Sequence, residues 1–298
     1  MIKLSMQQES LLLKWLKLVV KLVEKLDQKY INLIVKKALE EDLKPRGDIT
    51  TNLIKSIKKK VKAQIIAKQD GIIAGLELCK AAFRLTGRET VFTKKISDGT
   101  KIKKNRVIAE IKAYTNTILI AERTALNFLN HASGIATLTN EFTKKIKKKT
   151  KICCTRKTTP NLRTLEKYAV KKGGGYNHRY NLSDEILIKE NHISASGNLR
   201  ELVKRAIKTK KTVTVEIENI KQLKQIIDLK FKRILFDNMS FNQLKKCLKL
   251  SNNKYQTEYS GNASLKNINK ISKIGINRIS VGAITHSAKS FDTSLYIF

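Results

Sequence analysis

The sequence predicts an α/β protein in two parts, a mixed α+β segment followed by a parallel α/β barrel. Three observations carry this. At 298 residues the chain exceeds one average domain and falls well short of four. After Lys149, short apolar runs rich in β-branched residues alternate with segments of helical spacing. Those runs end in polar residues or glycine, as strands do where they build the mouth of a barrel.

In chain order, residues 31 to about 55 read as a helix entering the turn-rich "KPRGDITT". "VKAQIIAK" follows as a strand, "GIIAGLELCKAAFRL" as a helix opening after a glycine, and "RVIAEIKAY" as a second strand. From Ile118 to about Lys147 the spacing predicts one long helix. Strands and helices mix here without strict alternation, as in an α+β domain.

The second part holds "KICCT", "EILIK", "TVTVEIE", "RILFD", "YQTEYS" and "NRISVG". Helical segments such as "NLRELVKRAI", "NIKQLKQII", "FNQLKKCLKL" and "SLKNINKISKIG" separate them. Alternation of this kind implies parallel strands joined by right-handed crossovers, and mostly apolar strands suit a sheet covered by helices. A closed or partly open barrel and a doubly wound sheet both satisfy the pattern. The strand ends favour the barrel. Arg156 and Lys157 follow the first strand, Lys189 ends the second, Glu216 and Glu218 the third, and Asp237 the fourth. Ser260 and Gly261 end the fifth and Gly282 the sixth. One polar strand end is a cap or a turn; six in a row are a shared opening.

Composition narrows the function. Hydrophobic residues at 41% and charged residues at 29% fit a globular protein with a sizeable core. Lys+Arg 61 against Asp+Glu 25 gives a formal net charge of +36, which raises a nucleic-acid-binding reading. The lysines are spread along the whole chain, so they make a general field rather than a shaped groove. Aromatic residues are 6% and form no stacking stripe, which argues against nucleic acid as a partner. Cys79, Cys153, Cys154 and Cys247 show neither metal spacing nor a disulfide framework, and a reducing cytoplasm fits them.

At the amino terminus, "SLLLKWLKLVVKLVEKL" places Lys14, Lys17, Lys21 and Lys25 at helical spacings beside Leu, Val and Trp15. The lysines interrupt any transmembrane span, and no small-residue cleavage site follows, so no membrane crossing or signal peptide is expected. The segment reads as a basic amphipathic helix, one that packs on its own protein or a partner subunit, with a place on a membrane surface as the alternative.

A mouth holding Arg156, Lys157, His178, Arg179 and Lys189 gathers cations that repel unless an anion joins them. Arginine's planar fork suits carboxylate or phosphate, and each charge-assisted hydrogen bond is worth roughly 1.5–3 kcal/mol. Several together point to a small polyanion. Glu216 and Asp237 suit sugar hydroxyls or a hard cation such as Mg2+. "SGNAS" and "SVGAITHS" set small residues where a strand meets a helix start, where main-chain N–H groups cradle phosphate. In "GGGYNHR", Gly173 to Gly175 allow unusual backbone angles and close approach to a ligand, and present His178 and Arg179 on a shaped loop.

"ICCTRKTTPNLRTLEKYAVKKGGGYNHRYNLSDEILIKENHI" resembles the nicotinate-nucleotide pyrophosphorylase (carboxylating) family, also called quinolinate phosphoribosyltransferase. The likeness extends over nearly the whole chain through "EDLKPRGDITT", "AERTALNFLNHASGIAT", "VEIEN", "LFDNMS" and "ISVGAITHS". It implies an amino-terminal α/β sandwich domain over residues 1–126, an open α/β barrel over 127–287, and a tail at 288–298 returning to the first domain. The implied reaction joins quinolinate to 5-phosphoribosyl-1-pyrophosphate, with Mg2+, giving nicotinate mononucleotide, carbon dioxide and pyrophosphate. A related type II phosphoribosyltransferase acting on another base is the alternative.

By motif, the resemblance assigns Arg156, His178, Arg179 and Lys189 to the quinolinate carboxylates, and Lys157 to the space between quinolinate and the sugar phosphate. Glu216 and Asp237 go to the ribose hydroxyls and the metal; Lys157, Lys189, Glu216 and Asp237 form the catalytic set. Ser260, Gly261 and Gly282 go to the 5-phosphate, with Thr155, Asn262 and His286 as further substrate contacts. Arg123 is implied to complete the neighbouring subunit's site, which makes an obligate homodimer. Three residues depart from the family pattern. Cys154 stands where Asp is common, removing an expected polar contact to the arginine. Asn262 replaces the second glycine of the phosphate loop, at a position where Asn tolerates left-handed angles. Asn161 replaces a glycine after "TTP" and is expected to cap the following helix.

Overall fold

The computed structural model describes residues 25–54, 59–147 and 149–298. The basic helix expected around Lys14, Lys17 and Lys21 lies outside them. No helix among the described residues is long and apolar enough to cross a membrane.

The chain divides into two compact units. The first contains the described residues up to Asn140, together with Thr159–Gly174 and Ser287–Phe298. Its helices are α1 (Gln28–Leu43), α2 (Leu76–Thr86), most of α3 (Thr115–Lys144) and α4 (Arg163–Lys172). Four antiparallel strands lie in the order β12 (Thr293–Ile297), β1 (Lys60–Ala67), β5 (Val107–Tyr114) and β3 (Val91–Lys94). In β1 the alternating Ala63, Ile65 and Ala67 are buried, as a strand with one covered face requires. Helix α2 buries Leu76, Leu78, Cys79 and Phe83, and the Phe83 ring meets Phe92 of β3 at 6.0 Å. Burying a side chain of this size is worth about 1.5–3 kcal/mol. Asp98 accepts the otherwise unmet N–H groups of Gly75 and Leu76 at the start of α2, at 3.0 and 3.1 Å.

Several local expectations change here. The segment expected to be helical from Gly71 begins instead as strand β2 (Gly71–Ile72), paired with β4 (Lys101–Ile102), and the helix starts only at Leu76. Asn161 does not cap α4. It takes φ +65°, and Leu162 stands at the N-cap position without a side-chain cap bond. The asparagine therefore fills a left-handed turn. Gly173 packs closely on α3, since an added Cβ would lie 2.3 Å from the Ala136 carbonyl oxygen, and Gly174 turns the chain at φ +88°.

The second unit comprises the described residues of Glu141–Thr158 and Gly175–His286. Helix α3 therefore runs unbroken across the boundary expected at 126/127, and the division is discontinuous in sequence. Six parallel strands form its sheet: β6 (Lys151–Cys153), β7 (Ile186–Ile188), β8 (Val213–Ile217), β9 (Arg233–Asp237), β10 (Gln256–Ser260) and β11 (Arg278–Ser280). Their order is β6–β11–β10–β9–β8–β7, so the first two strands in sequence stand at opposite edges and the barrel is open. Helices α5 (Glu190–Ser196), α6 (Leu199–Lys208), α7 (Ile220–Ile226), α8 (Phe241–Ser251) and α9 (Ile268–Lys273) make the crossovers between β7 and β11. Consecutive members of the α5–α8 series pack on one another. A final short helix, α10 (Ala283–His286), follows β11. The crossover helix between β6 and β7 is α4, which clusters with the first unit. Register places Ser260 beside Asp237 and Ser280 beside Cys153, which aligns the carboxyl ends of the strands on one rim.

Candidate active site

A cleft of about 900 Å³ opens at the carboxyl ends of the six strands. Thr155, Arg156 and Lys157 reach it from the turn after β6, and His178 and Arg179 from the loop before β7. Lys189 enters at the end of β7, Glu216 from β8 and Asp237 from β9. Ser260, Gly261 and Asn262 follow β10, while Gly282 and His286 follow β11. Every candidate site residue named from the sequence lines this cleft except Arg123, which is exposed on α3 in the first unit. None of the three glycines at 173–175 lines it; Gly173 packs on α3 and Gly174 turns the chain.

The turn after β6 is locally braced. The Lys157 main-chain N–H donates to Thr155 Oγ1 at 3.0 Å, and the Lys157 carbonyl accepts from Thr285 Oγ1 at 2.7 Å. The Cys154 thiol donates to Asn177 Oδ1 at 3.2 Å, beside His178 and not to the arginine. Arg179 is held at both ends. Its main-chain N–H donates to His178 Nδ1 at 2.8 Å and its Nη1 to the Glu185 carbonyl at 3.0 Å.

Electrostatics divides the cleft. Burial and the neighbouring Arg156 charge lower the Arg179 pKa, against the pull of Glu185, Asp184 and Glu216. An arginine weakened by a second guanidinium gains when an anion sits between them. Opposite, burial pushes the Glu216 carboxyl up to about 7, and Asp237 adds to the rise. The Lys189 ammonium, 3.1 Å from Glu216 Oε2, pulls the other way. Burial wins.

Three features were not anticipated. Glu190, first residue of α5, lines the cleft and adds to the upward push on the Glu216 carboxyl. Asn238 turns at φ +49° after β9; its Nδ2 donates to Asp237 Oδ2 at 2.8 Å and its main-chain N–H to the Ser260 carbonyl at 3.0 Å. Its Oδ1 lies where a Cβ on Gly261 would stand, 2.1 Å away, and accepts from Asn262 Nδ2 at 3.4 Å. Asn262 itself takes φ +50°, so the position does require a left-handed residue. Beneath the cleft lies a buried ionic cluster of Glu185, Arg233, Glu258 and Arg278. Arg233 and Arg278 open β9 and β11, Glu185 precedes β7 and Glu258 stands in the polar β10, so no residue pattern marked the cluster in the sequence.

Among the described residues no group of three or more His, Cys, Asp or Glu gathers to hold a metal. Glu216 and Asp237 nevertheless both face the cleft. Two carboxylates suit a magnesium ion that takes its remaining ligands from substrate phosphates and water.

Residues 48–133 match the family profile of the quinolinate phosphoribosyl transferase N-terminal domain, and residues 135–296 that of its C-terminal domain. The chain belongs to the quinolinate phosphoribosyltransferase family. It is 40% identical over 253 residues to a probable nicotinate-nucleotide pyrophosphorylase [carboxylating] of Bacillus subtilis, covering 84% of this chain and 87% of that one. A protein of the same description from Methanocaldococcus jannaschii is 40% identical over 277 residues, covering 89% and 96%. The structure of the Francisella tularensis nicotinate-nucleotide pyrophosphorylase superposes with a TM-score of 0.88 at 37% identity, covering 93% of this chain and 99% of that one. NadC from Streptococcus pyogenes gives 0.87 at 36% identity, covering 92% and 99%. The family's match spans both units, from the amino-terminal sheet to the open barrel.

Proposed function

We propose that the protein is a decarboxylating quinolinate phosphoribosyltransferase, supplying nicotinate mononucleotide to NAD biosynthesis. The observation that carries this reading is the meeting of Arg156, Arg179 and Lys189 with Glu216 and Asp237 in one cleft of a family member. Arg156, Arg179 and Lys189 bind the two quinolinate carboxylates, His178 backs Arg179 through its main chain, and Lys157 spans the gap to the sugar phosphate. Ser260, Gly261, Asn262, Gly282 and His286 receive the 5-phosphate, with Thr155 shaping the turn beneath.

In the reaction the bond from the anomeric carbon to pyrophosphate breaks and the bond to the pyridine nitrogen forms. Positive charge develops on the ribose, and the Glu216 and Asp237 carboxylates stabilise it. The pyridine nitrogen is a weak nucleophile, so alignment contributes much of the rate; well-oriented reactants gain about 7–11 kcal/mol. Once alkylated, the ring nitrogen is positive. The adjacent carboxylate then leaves as carbon dioxide, its electron pair stays on the ring carbon beside that nitrogen, and a proton replaces it. Magnesium held by Glu216, Asp237 and the substrate phosphates would neutralise the charge of the departing pyrophosphate. No covalent nucleophile is needed, and the buried Cys153 and Cys154 have no part in the chemistry.

The protein is further proposed to act as a homodimer in the cytoplasm. Exposed Arg123 is available to a neighbouring subunit, and the four free, buried cysteines suit a reducing compartment. Purified protein with quinolinate, phosphoribosyl pyrophosphate and Mg2+ is expected to give saturable nicotinate mononucleotide formation with equal carbon dioxide release. Turnover of nicotinate but not quinolinate would assign another base to the site.

A pH dependence follows from Glu216. The folded carboxyl titrates at about 7 instead of 4.5, so below neutrality the free enzyme holds it protonated and unable to act as an anion. kcat/KM for phosphoribosyl pyrophosphate, which reports free-enzyme groups, is expected to rise with pH through about 7. Glu216→Gln should be slow and lack this limb; a limb that persists in the variant assigns it to another group.

A further inference from the structure

A buried glutamate lies behind the cationic side of the cleft, in β10, two residues before Ser260. The Glu258 side chain is wholly buried. Its Oε1 accepts from the Ser280 hydroxyl and faces His178 Nε2 at 3.5 Å. Its Oε2 accepts from Arg278 Nε at 3.1 Å and faces Arg233 Nε at 3.5 Å. On the other side of the imidazole, Nδ1 accepts the Arg179 main-chain N–H at 2.8 Å.

A ring nitrogen that accepts a hydrogen bond carries no proton. The proton of a neutral imidazole must then sit on Nε2, the nitrogen turned toward Glu258. We propose that Glu258 is a positioning residue: it holds His178 in the Nε2–H tautomer, and through Nδ1 the imidazole fixes the Arg179 main chain so that its guanidinium is aimed into the cleft. The surroundings agree. Glu185 and Glu258 balance Arg233 and Arg278, and burial keeps the nearby Cys153 thiol protonated, so a neutral imidazole leaves the cluster without net charge. Arg233 also donates from Nη1 to Glu185 Oε1 at 2.8 Å, and the Glu185 carbonyl holds the Arg179 guanidinium at 3.0 Å. Both anchors of Arg179 thus trace to one buried cluster.

The kinetic half of the test rests on the proposed function; the spectroscopic half does not. In Glu258→Gln the oxygen is claimed by Arg278, so the amide NH2 faces His178 as a donor against a donor. The proton should move to Nδ1, which breaks the bond to Arg179. The chain has four histidines, so its ring nitrogens are resolvable by long-range 1H–15N correlation on 15N-histidine-labelled full-length protein. Loss of a signal in His178→Gln identifies the residue. Wild type is expected to show the Nε2–H pattern at neutral pH, and Glu258→Gln the Nδ1–H pattern. In the variant KM for quinolinate should rise about tenfold, the scale of losses when a partner behind a ligand-binding residue is removed, with KM for phosphoribosyl pyrophosphate within about twofold.

A wild-type Nδ1–H or imidazolium signal overturns the proposal. So does a variant that keeps either the Nε2–H signal or the wild-type quinolinate KM. If Glu258→Gln does not fold, the wild-type tautomer decides. An Nε2–H signal in a wild-type protein that leaves quinolinate untouched removes the function and keeps the positioning role.

Discussion

Gly261→Ala is expected to lower kcat/KM for phosphoribosyl pyrophosphate by about 100-fold, the scale on which a misplacement of roughly 1 Å acts, while quinolinate still binds. Two independent features produce this. Gly261 takes φ +97°, a conformation that costs an L-residue about 1–3 kcal/mol. Its missing Cβ also leaves room for Asn238, whose Oδ1 would lie 2.1 Å from the new atom. Asn238 has no easy retreat, because its Nδ2 is committed to Asp237 and its main chain to Ser260. Pushing it displaces the ribose-facing carboxylate and the phosphate turn together. Titrating quinolinate into the variant by calorimetry, alongside steady-state kinetics, separates the two halves of the cleft. The double variant Asn238→Ala/Gly261→Ala removes the side-chain collision but leaves the main-chain nitrogen of residue 238 at 2.9 Å from the new Cβ and keeps the backbone strain, so it should recover only part of the loss. Full recovery would assign the whole effect to the Asn238 side chain.

The sequence carried the barrel well because its six inner strands are periodic, mostly apolar and bounded by helices. Each is then readable alone, and the ends of the first four carry a charged residue too costly to bury without purpose. Lys189, Glu216 and Asp237 stood out for that reason. Short strands such as Val91–Lys94 did not, since Val91 and Lys94 are exposed and only pairing with β5 orders them. The glycine run before His178 was legible as special but not as to why. Whether a missing Cβ serves a ligand or a packed helix depends on what lies opposite, and Ala136 is distant in sequence. Asn161 shows the same limit, for its amide suits both a helix cap and a left-handed turn. Glu258 was invisible because its partners Arg233, Arg278 and His178 sit on other elements, and only the strand register brings them together. The discontinuous division of the chain was hidden likewise, since α4 reads as an ordinary crossover helix.

Arg123→Ala should lose turnover to background, and mixing its subunits with those of Lys189→Ala should restore it. Arg123 is exposed on α3 and is not among the residues lining the cleft, whereas Lys189 ends a barrel strand inside it. If each cleft takes Arg123 from the neighbouring copy, a mixed dimer places both wild-type residues in one site and both substitutions in the other. Random pairing about a twofold axis makes half of all dimers mixed, so about a quarter of the sites should be intact. Co-refolding the two variants in equal amounts and measuring activity per subunit tests this, with each variant refolded alone as control. Rescue has no explanation in a folding defect, because a subunit unable to fold could not supply the intact half of its neighbour's site. Two well-folded variants that stay inactive together would mean that Arg123 serves its own chain, and the dimer would then lose its catalytic reason to exist.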